Sequence, residues 1–300
     1  MKDGYIKVGC VSFDTNVGSP ILNTKNIIKC MNNASKKEVK ILVFPELCIS
    51  GYTCGDLFYQ DLLLEGCLDS LESIRRSSTR KDMLIVVGLP LKHNSKLYNV
   101  ACFINKGKIL GFVPKTYIPN YNEFYESRYF APAFKGNTKV VIRGNEYPFG
   151  VNLLFKCKSV SDLVVAGEIC EDLWVPSSPS INHALNGATV ICNLSASNEV
   201  VGKDKLRLDL VKFTSRKLCC AYLYSSAGEG ESTQDLVFSS HHIIAENGVV
   251  LKESEIFKNS LITSEIDIKK IAFERSKMNT FNKDNSDYDY IYFDLKVSDT

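Results

Sequence analysis

A series of short, continuously apolar runs, each ending at a polar or turn residue, most narrows what this chain can fold into. Residues 41–44, 83–88, 163–166, 189–194 and 221–225 have strand length, yet they do not alternate apolar with polar positions. A strand apolar on both sides must be covered on both faces, which a sheet with one wet face does not provide. Between these runs lie stretches with helical spacing. Residues 58–76 carry Leu62, Leu63, Cys67, Leu71 and Ile74 on one face. Residues 23–34 and 203–219 read as further helices, the latter with Leu206, Leu210, Phe213 and Leu218 as its apolar side. Two hairpins are expected, one around residues 105–108 and one around Glu246-Asn247-Gly248. Residues 6–13, 140–142, 151–155 and 261–266 supply additional strands. The mixture predicts an α/β fold with mixed sheets covered by helices. After Lys277 the chain is polar and rich in Asn and Asp as far as residues 288–295. The domain is therefore expected to occupy residues 1–276, with 277–300 as an exit linker.

Composition removes several function classes. With 36 Lys and Arg against 34 Asp and Glu, the chain has no global basic field that would favour nucleic acid. No apolar stretch approaches the length of a membrane span. The opening MKDGYIKVGCVSF is broken by Lys7 and Gly9 and reads as a strand, so a cytoplasmic location is expected. The 11 cysteines are scattered, without a Cys-x-x-Cys pair or a nearby His, so no metal site is expected. Their odd number fits reduced thiols in a reducing compartment.

Three strings place reactive groups directly after strand-length runs. Phe44-Pro45-Glu46 follows residues 41–44, Pro114-Lys115 follows residues 109–113, and GEICEDLW (residues 167–174) follows residues 163–166. Taken singly, each has an ordinary explanation: a solvated Glu in a loop, a surface Lys, a buried structural Cys. Together they answer one another's needs. Cys170 is flanked by Glu168, Glu171 and Asp172, and negative neighbours suppress a thiolate. A reactive Cys170 therefore requires a cation, which Lys115 can supply, and a base, which Glu46 can supply. A backbone N–H at the Cys170–Glu171 turn can add an oxyanion donor. The segment 120–135 has six aromatic residues and no clean period, and is expected to form a lid or wall beside the site.

In their wider context these strings resemble the nitrilase, or carbon–nitrogen hydrolase, superfamily, and within it the glutaminase domains of glutamine-dependent NAD synthetases. The likeness rests on FPELCISGYTCGDLF (44–58), PKTYIPNYNEFYESRYFAP (114–132), GEICEDLWVPSSPS (167–180), NLSAS (193–197) and YLYSSAGEGESTQDLVFSS (222–240), and extends from Tyr5 to Ile266. It implies a four-layer αββα sandwich. It also implies hydrolysis of the glutamine amide through a Cys thioester, with Glu46, Lys115 and Cys170 as triad. Glu126 would be an additional active-site carboxylate, with Glu123 as its competitor. Tyr121, Glu171, Trp174 and Ser197 would line the glutamine-binding wall.

The implied partners are glutamine, further copies of the chain, and a C-terminal synthetase domain that takes ammonia for amidation of nicotinate adenine dinucleotide. That domain would use ATP and Mg. No Ser-Gly-Gly-x-Asp-Ser loop occurs here, so no cofactor is expected for this domain itself. Two other readings stand beside this one. One is a stand-alone amidase acting on another small amide. The other is a non-catalytic scaffold or regulatory domain, against which the intact Glu46, Lys115 and Cys170 count.

Overall fold

Two mixed sheets stacked face to face, each covered by helices on its outer side, account for the unbroken apolar runs. The computed structural model describes residues 4–231, 235–281 and 287–297. Its elements are β1 (Tyr5–Val11), α1 (Pro20–Lys36), β2 (Ile41–Val43), α2 (Asp61–Ser78), β3 (Leu84–His93), β4 (Lys96–Asn105), β5 (Lys108–Pro114), β6 (Asn137–Ile142), β7 (Asn145–Gly150) and β8 (Leu153–Cys157). They continue with β9 (Val164–Ile169), α3 (Pro179–Leu185), β10 (Val190–Ser195), α4 (Lys203–Lys217), β11 (Ala221–Ser226), β12 (Ile243–Glu246), β13 (Val249–Glu253), β14 (Leu261–Asp267), α5 (Ile268–Ser276) and β15 (Asp289–Phe293). The first sheet has the order β14-β1-β2-β3-β4-β5-β7-β6, and the second β13-β12-β11-β10-β9-β8-β15.

Strand parity explains the layers. Ile41 and Val43 of β2, with Leu84 and Val86 of β3, face the second sheet and meet Val165, Val190, Cys192, Ala221 and Leu223 there. The residues between them, Leu42, Ile85 and Val87, face outward onto Ile27 and Met31 of α1 and Leu63, Cys67 and Leu71 of α2. In the second sheet Ile191 and Tyr222 face outward, onto a layer that includes Ala184 of α3 and Val211 of α4. Both faces of each central strand are dry, so no position can be polar without a partner. The result is the expected αββα sandwich. Phe103 and Phe155 stack across the sheet interface with centroids 3.9 Å apart. Gly167, expected just beyond a strand end, lies inside β9, where a Cβ would come within 2.9 Å of the Phe103 ring.

Several expectations need correction. Helix α4 buries Arg207, Val211 and Ser215, while Leu206 and Phe213 of the expected apolar face are 58% and 65% exposed. Tertiary contact, including a buried guanidinium, overrides the apolar count. Hairpins turning at Asn94–Ser95 and Arg143–Gly144, both with positive φ, were not anticipated, nor was α5. The stretch expected as an exit linker contributes β15, which pairs in parallel with β8 from Asp289 opposite Leu153 to Phe293 opposite Cys157. Phe293 and Leu295 are buried in the core between the sheets. The remaining residues of that tail, 282–286 and 298–300, and Ser232 and Thr233 of the AGEGEST string, lie outside the described residues.

Candidate active site

Four strand ends, two from each sheet, converge where the sheets meet. Strand β2 ends at Val43, and Pro45 turns the chain so that Glu46 points back between the sheets. The turn is closely packed: Leu47 has φ +50°, and a Cβ on Gly88 of β3 would lie 2.4 Å from the Leu47 nitrogen. Only glycine allows β3 to pass so near this turn. Across the interface the Glu46 N–H donates to the Ser195 carbonyl at 3.2 Å, and the Ala196 N–H donates to Glu46 Oε2 at 2.8 Å. Asn99 Nδ2 donates to Glu46 Oε1 at 2.7 Å.

Lys115, the residue after β5, is fully buried. Its ammonium donates to Glu46 Oε1 at 2.6 Å and to Glu126 Oε1 and Oε2 at 2.7 and 2.9 Å. Burial alone would lower the Lys115 pKa, but Glu126 and Glu46 hold it well above the ordinary range, so the ammonium stays charged. Burial raises Glu126 to about 7 against the pull of Lys115, with Glu46 adding to the rise. Tyr52, seven residues along from Pro45, donates its hydroxyl to Glu126 Oε1 at 2.8 Å. Of the two competing glutamates, Glu126 reaches the lysine. Glu123 accepts instead from the Asn198 side chain. A cavity of about 140 Å³ lies against Tyr52, Glu126, Phe124 and Tyr129.

Cys170 opens a single 3-10 turn (Cys170–Leu173) with φ +46°, a left-handed conformation held by its surroundings. Burial pushes the thiol up to about 12, with Glu46 adding to the rise and Lys115 opposing it. The flanking acids, expected to be the source of this problem, each have other partners. Glu168 faces away, accepting from the Ser180 N–H at 2.9 Å and from the Tyr222 hydroxyl. Glu171 accepts from the Tyr121 hydroxyl at 2.9 Å. Asp172 is fully buried and ties two strand ends together. It accepts from the Tyr117 N–H at 2.8 Å and the Thr116 N–H at 3.1 Å, just past Lys115, and from the Ile169 N–H at 3.0 Å, just before Cys170.

The expected binding residues have these contacts: Tyr121 and Glu171 bond each other, and Ser197 Oγ accepts from Arg207. Trp174 lies under the Lys203 ammonium, 5.3 Å from the ring centroid, and Phe124 is 5.9 Å away from the same group. Ser197 follows β10, one residue past the Ala196 N–H that meets Glu46. Lys203 also donates to Asn198 Oδ1, and its ammonium lies within electrostatic reach of Cys170, where it would favour a thiolate. Sequence reasoning missed Tyr52, Asn99, Lys203 and Glu231. Glu231, in the AGEGEST string, accepts from the backbone N–H groups of Tyr52 and Thr53 at 2.5 and 3.0 Å. Tyr52 and Glu231 both stand in motif strings, but only the fold shows that they meet. No group of three or more potential metal ligands occurs among the described residues.

Comparison with known proteins bears on this geometry. The profile of the carbon-nitrogen hydrolase family matches residues 20–275. The chain belongs to that family. It is 39% identical over 283 residues to the glutamine-dependent NAD(+) synthetase of Mycobacterium leprae, covering 94% of this chain and 42% of that protein. It is 30% identical to the enzyme of the same name from Aquifex aeolicus, covering 84% of this chain and 41% of that protein. The crystal structure of a glutamine-dependent NAD(+) synthetase from Cytophaga hutchinsonii superposes with TM-score 0.79 and 31% identity, over 87% of this chain and 43% of that one. The chain thus spans about two fifths of the length of these relatives. An amidase of the nitrilase superfamily from Nesterenkonia matches with TM-score 0.71, 14% identity and coverage of 93% and 99%, a likeness of fold alone.

Proposed function

We propose that this member of the carbon-nitrogen hydrolase family hydrolyses the side-chain amide of glutamine, supplying ammonia to a synthetase domain that makes NAD. One observation carries the reading: a buried lysine shared by two carboxylates stands at the end of β5, tied through Asp172 to a strained cysteine at the end of β9. The 39% identity to a glutamine-dependent NAD(+) synthetase supports the choice of glutamine.

On this reading Cys170 Sγ attacks the amide carbon. With its pKa near 12 the resting thiol is neutral, so its proton passes to Glu46 as the C–S bond forms. Lys115 and the Glu171 N–H, which has no carbonyl to bond within its short helix, stabilise the oxyanion. Glu46 returns the proton to the departing ammonia, leaving a γ-glutamyl thioester. Glu46 then takes a proton from water, whose oxygen attacks the thioester, and gives that proton to Sγ as the C–S bond breaks, releasing glutamate and restoring the thiol. Glu126 and Tyr52 fix the Lys115 ammonium throughout. Lys203 and Ser197 suit the α-carboxylate of glutamine, and Glu171 with Tyr121 suits its α-ammonium. None of these steps calls for a cofactor. ATP and Mg belong to the synthetase domain, where the ammonia would amidate nicotinate adenine dinucleotide.

On the same reading the protein works in the cytoplasm as a homo-oligomer. Among the described residues no helix is long and apolar enough to cross a membrane. The exposed apolar residues Leu206 and Phe213 of α4, with Val201 just before it, suit self-association.

The test is ammonia release from glutamine. Cys170→Ala should reduce it to the uncatalysed background, and undiminished release would overturn the assignment. A glutamine-shaped electrophile should add its mass to Cys170, and an adduct on Cys48 or Cys54 would refute the nucleophile. A second reading, an amidase acting on another small amide, is supported only by the likeness of fold to the Nesterenkonia amidase. A panel of glutamine, ω-amides and N-carbamoyl acids separates the two.

A further inference from the structure

Arg207 of α4 is fully buried, and its guanidinium grips three consecutive residues. It donates to Ser197 Oγ at 3.3 Å, to the Asn198 carbonyl at 3.2 Å and to Glu199 Oε2 at 3.0 Å. Its fourth partner is His241 Nδ1 at 2.8 Å. Arginine can only donate, so His241 carries its ring proton on Nε2, which meets Glu253 Oε1 at 2.8 Å. The desolvation cost of such a buried cation is offset only by good geometry, and a fork of fixed donors provides that where lysine cannot. Asn198 in turn holds Lys203 through Oδ1 and Glu123 of the 120–135 segment through Nδ2.

We infer that Arg207 is the positioning residue of the substrate wall, fixing residues 197–199 so that Lys203 and, through Glu123, the 120–135 segment hold their places around the bound amide. It touches neither Glu46, Lys115 nor Cys170, so its effect falls on substrate binding and leaves the chemical step in place. The inference rests on the glutaminase reading only for the identity of the substrate.

The wild-type chain is first assayed on the amide panel, and the amide it hydrolyses serves as substrate for the variants. Failure on glutamine alone therefore refutes the function and leaves Arg207 to be judged on the other amide. Arg207→Lys should raise KM at least tenfold while kcat stays within threefold of wild type. Alkylation of Cys170 by iodoacetamide, which needs no wall, should stay within twofold. A folded variant with unchanged KM overturns the inference, as does a fall in kcat and alkylation at constant KM. If Arg207→Lys does not fold, Glu199→Gln weakens the same grip with little change of shape. It should raise KM at least threefold, and an unchanged KM there counts equally against the proposal.

Discussion

A single ammonium held by two carboxylates makes the site sensitive to the protonation of either. Glu126 binds its proton more tightly than a free carboxylate, so it is ionised only above about pH 7. If the carboxylate is needed to hold Lys115, kcat must fall as pH drops through 7, and the Glu126→Gln enzyme should lack that acidic limb. A pH–rate profile of both proteins, measured between pH 5.5 and 9, checks this; an identical limb in the variant would remove Glu126 from the account. Tyr52→Phe deletes one bond to Glu126 and leaves the lysine contacts intact. The expected cost is about 1 kcal/mol of stabilisation, a loss of roughly fivefold in kcat, and not abolition. Lys115→Met, by contrast, removes the oxyanion cation and leaves two carboxylates buried without it. Ammonia release should drop by about 10²-fold or more, measured against the folded fraction of the variant.

At the scale of elements, the strand exits were the most legible part of the chain. Glu46, Lys115 and Cys170 each follow an apolar run, and the fold brings the three exits together. Their supports were not legible, because a side chain such as Asn99 or Asp172 declares its partner only when the strands are in register. Asp172 reads in the sequence as one more negative charge beside the thiol, yet its carboxylate accepts three backbone N–H groups from two strand ends. Helix α4 misleads for a related reason: its apolar residues outnumber its buried ones, and the side it buries carries an arginine. Asp172→Asn would turn an N–H donor toward another donor, leaving a buried group unpaired at a cost of about 1–3 kcal/mol. Thermal unfolding should move down and kcat should fall, with KM nearly constant. Gly88→Ala pushes a methyl group into the Glu46 turn, and with backbone as the obstacle something must move. We expect at least a tenfold loss of activity from this one added carbon.

The sandwich as a whole was legible as a class of fold, since runs apolar on both faces require cover on both, but the route of the tail was not. Strand β15 closes the outer edge of β8, and an uncovered edge invites pairing with other chains. Ending the chain at residue 276 would also remove Phe293 and Leu295 from the core, worth roughly 3–6 kcal/mol at the usual value for burying large apolar side chains. The shortened protein should unfold at lower temperature and sediment as aggregates, whereas the chain to residue 297 should not. The division of the site between the sheets has a kinetic meaning as well. Glu46 and Lys115 belong to one sheet, Cys170 and the Ala196 N–H to the other, and residues up to 196 must be present before all four can meet. A nascent or half-folded chain is therefore chemically silent, its thiol separated from its base. During refolding, ammonia release reports the docking of one sheet on the other, a step that circular dichroism of the separate strands and helices would pass over.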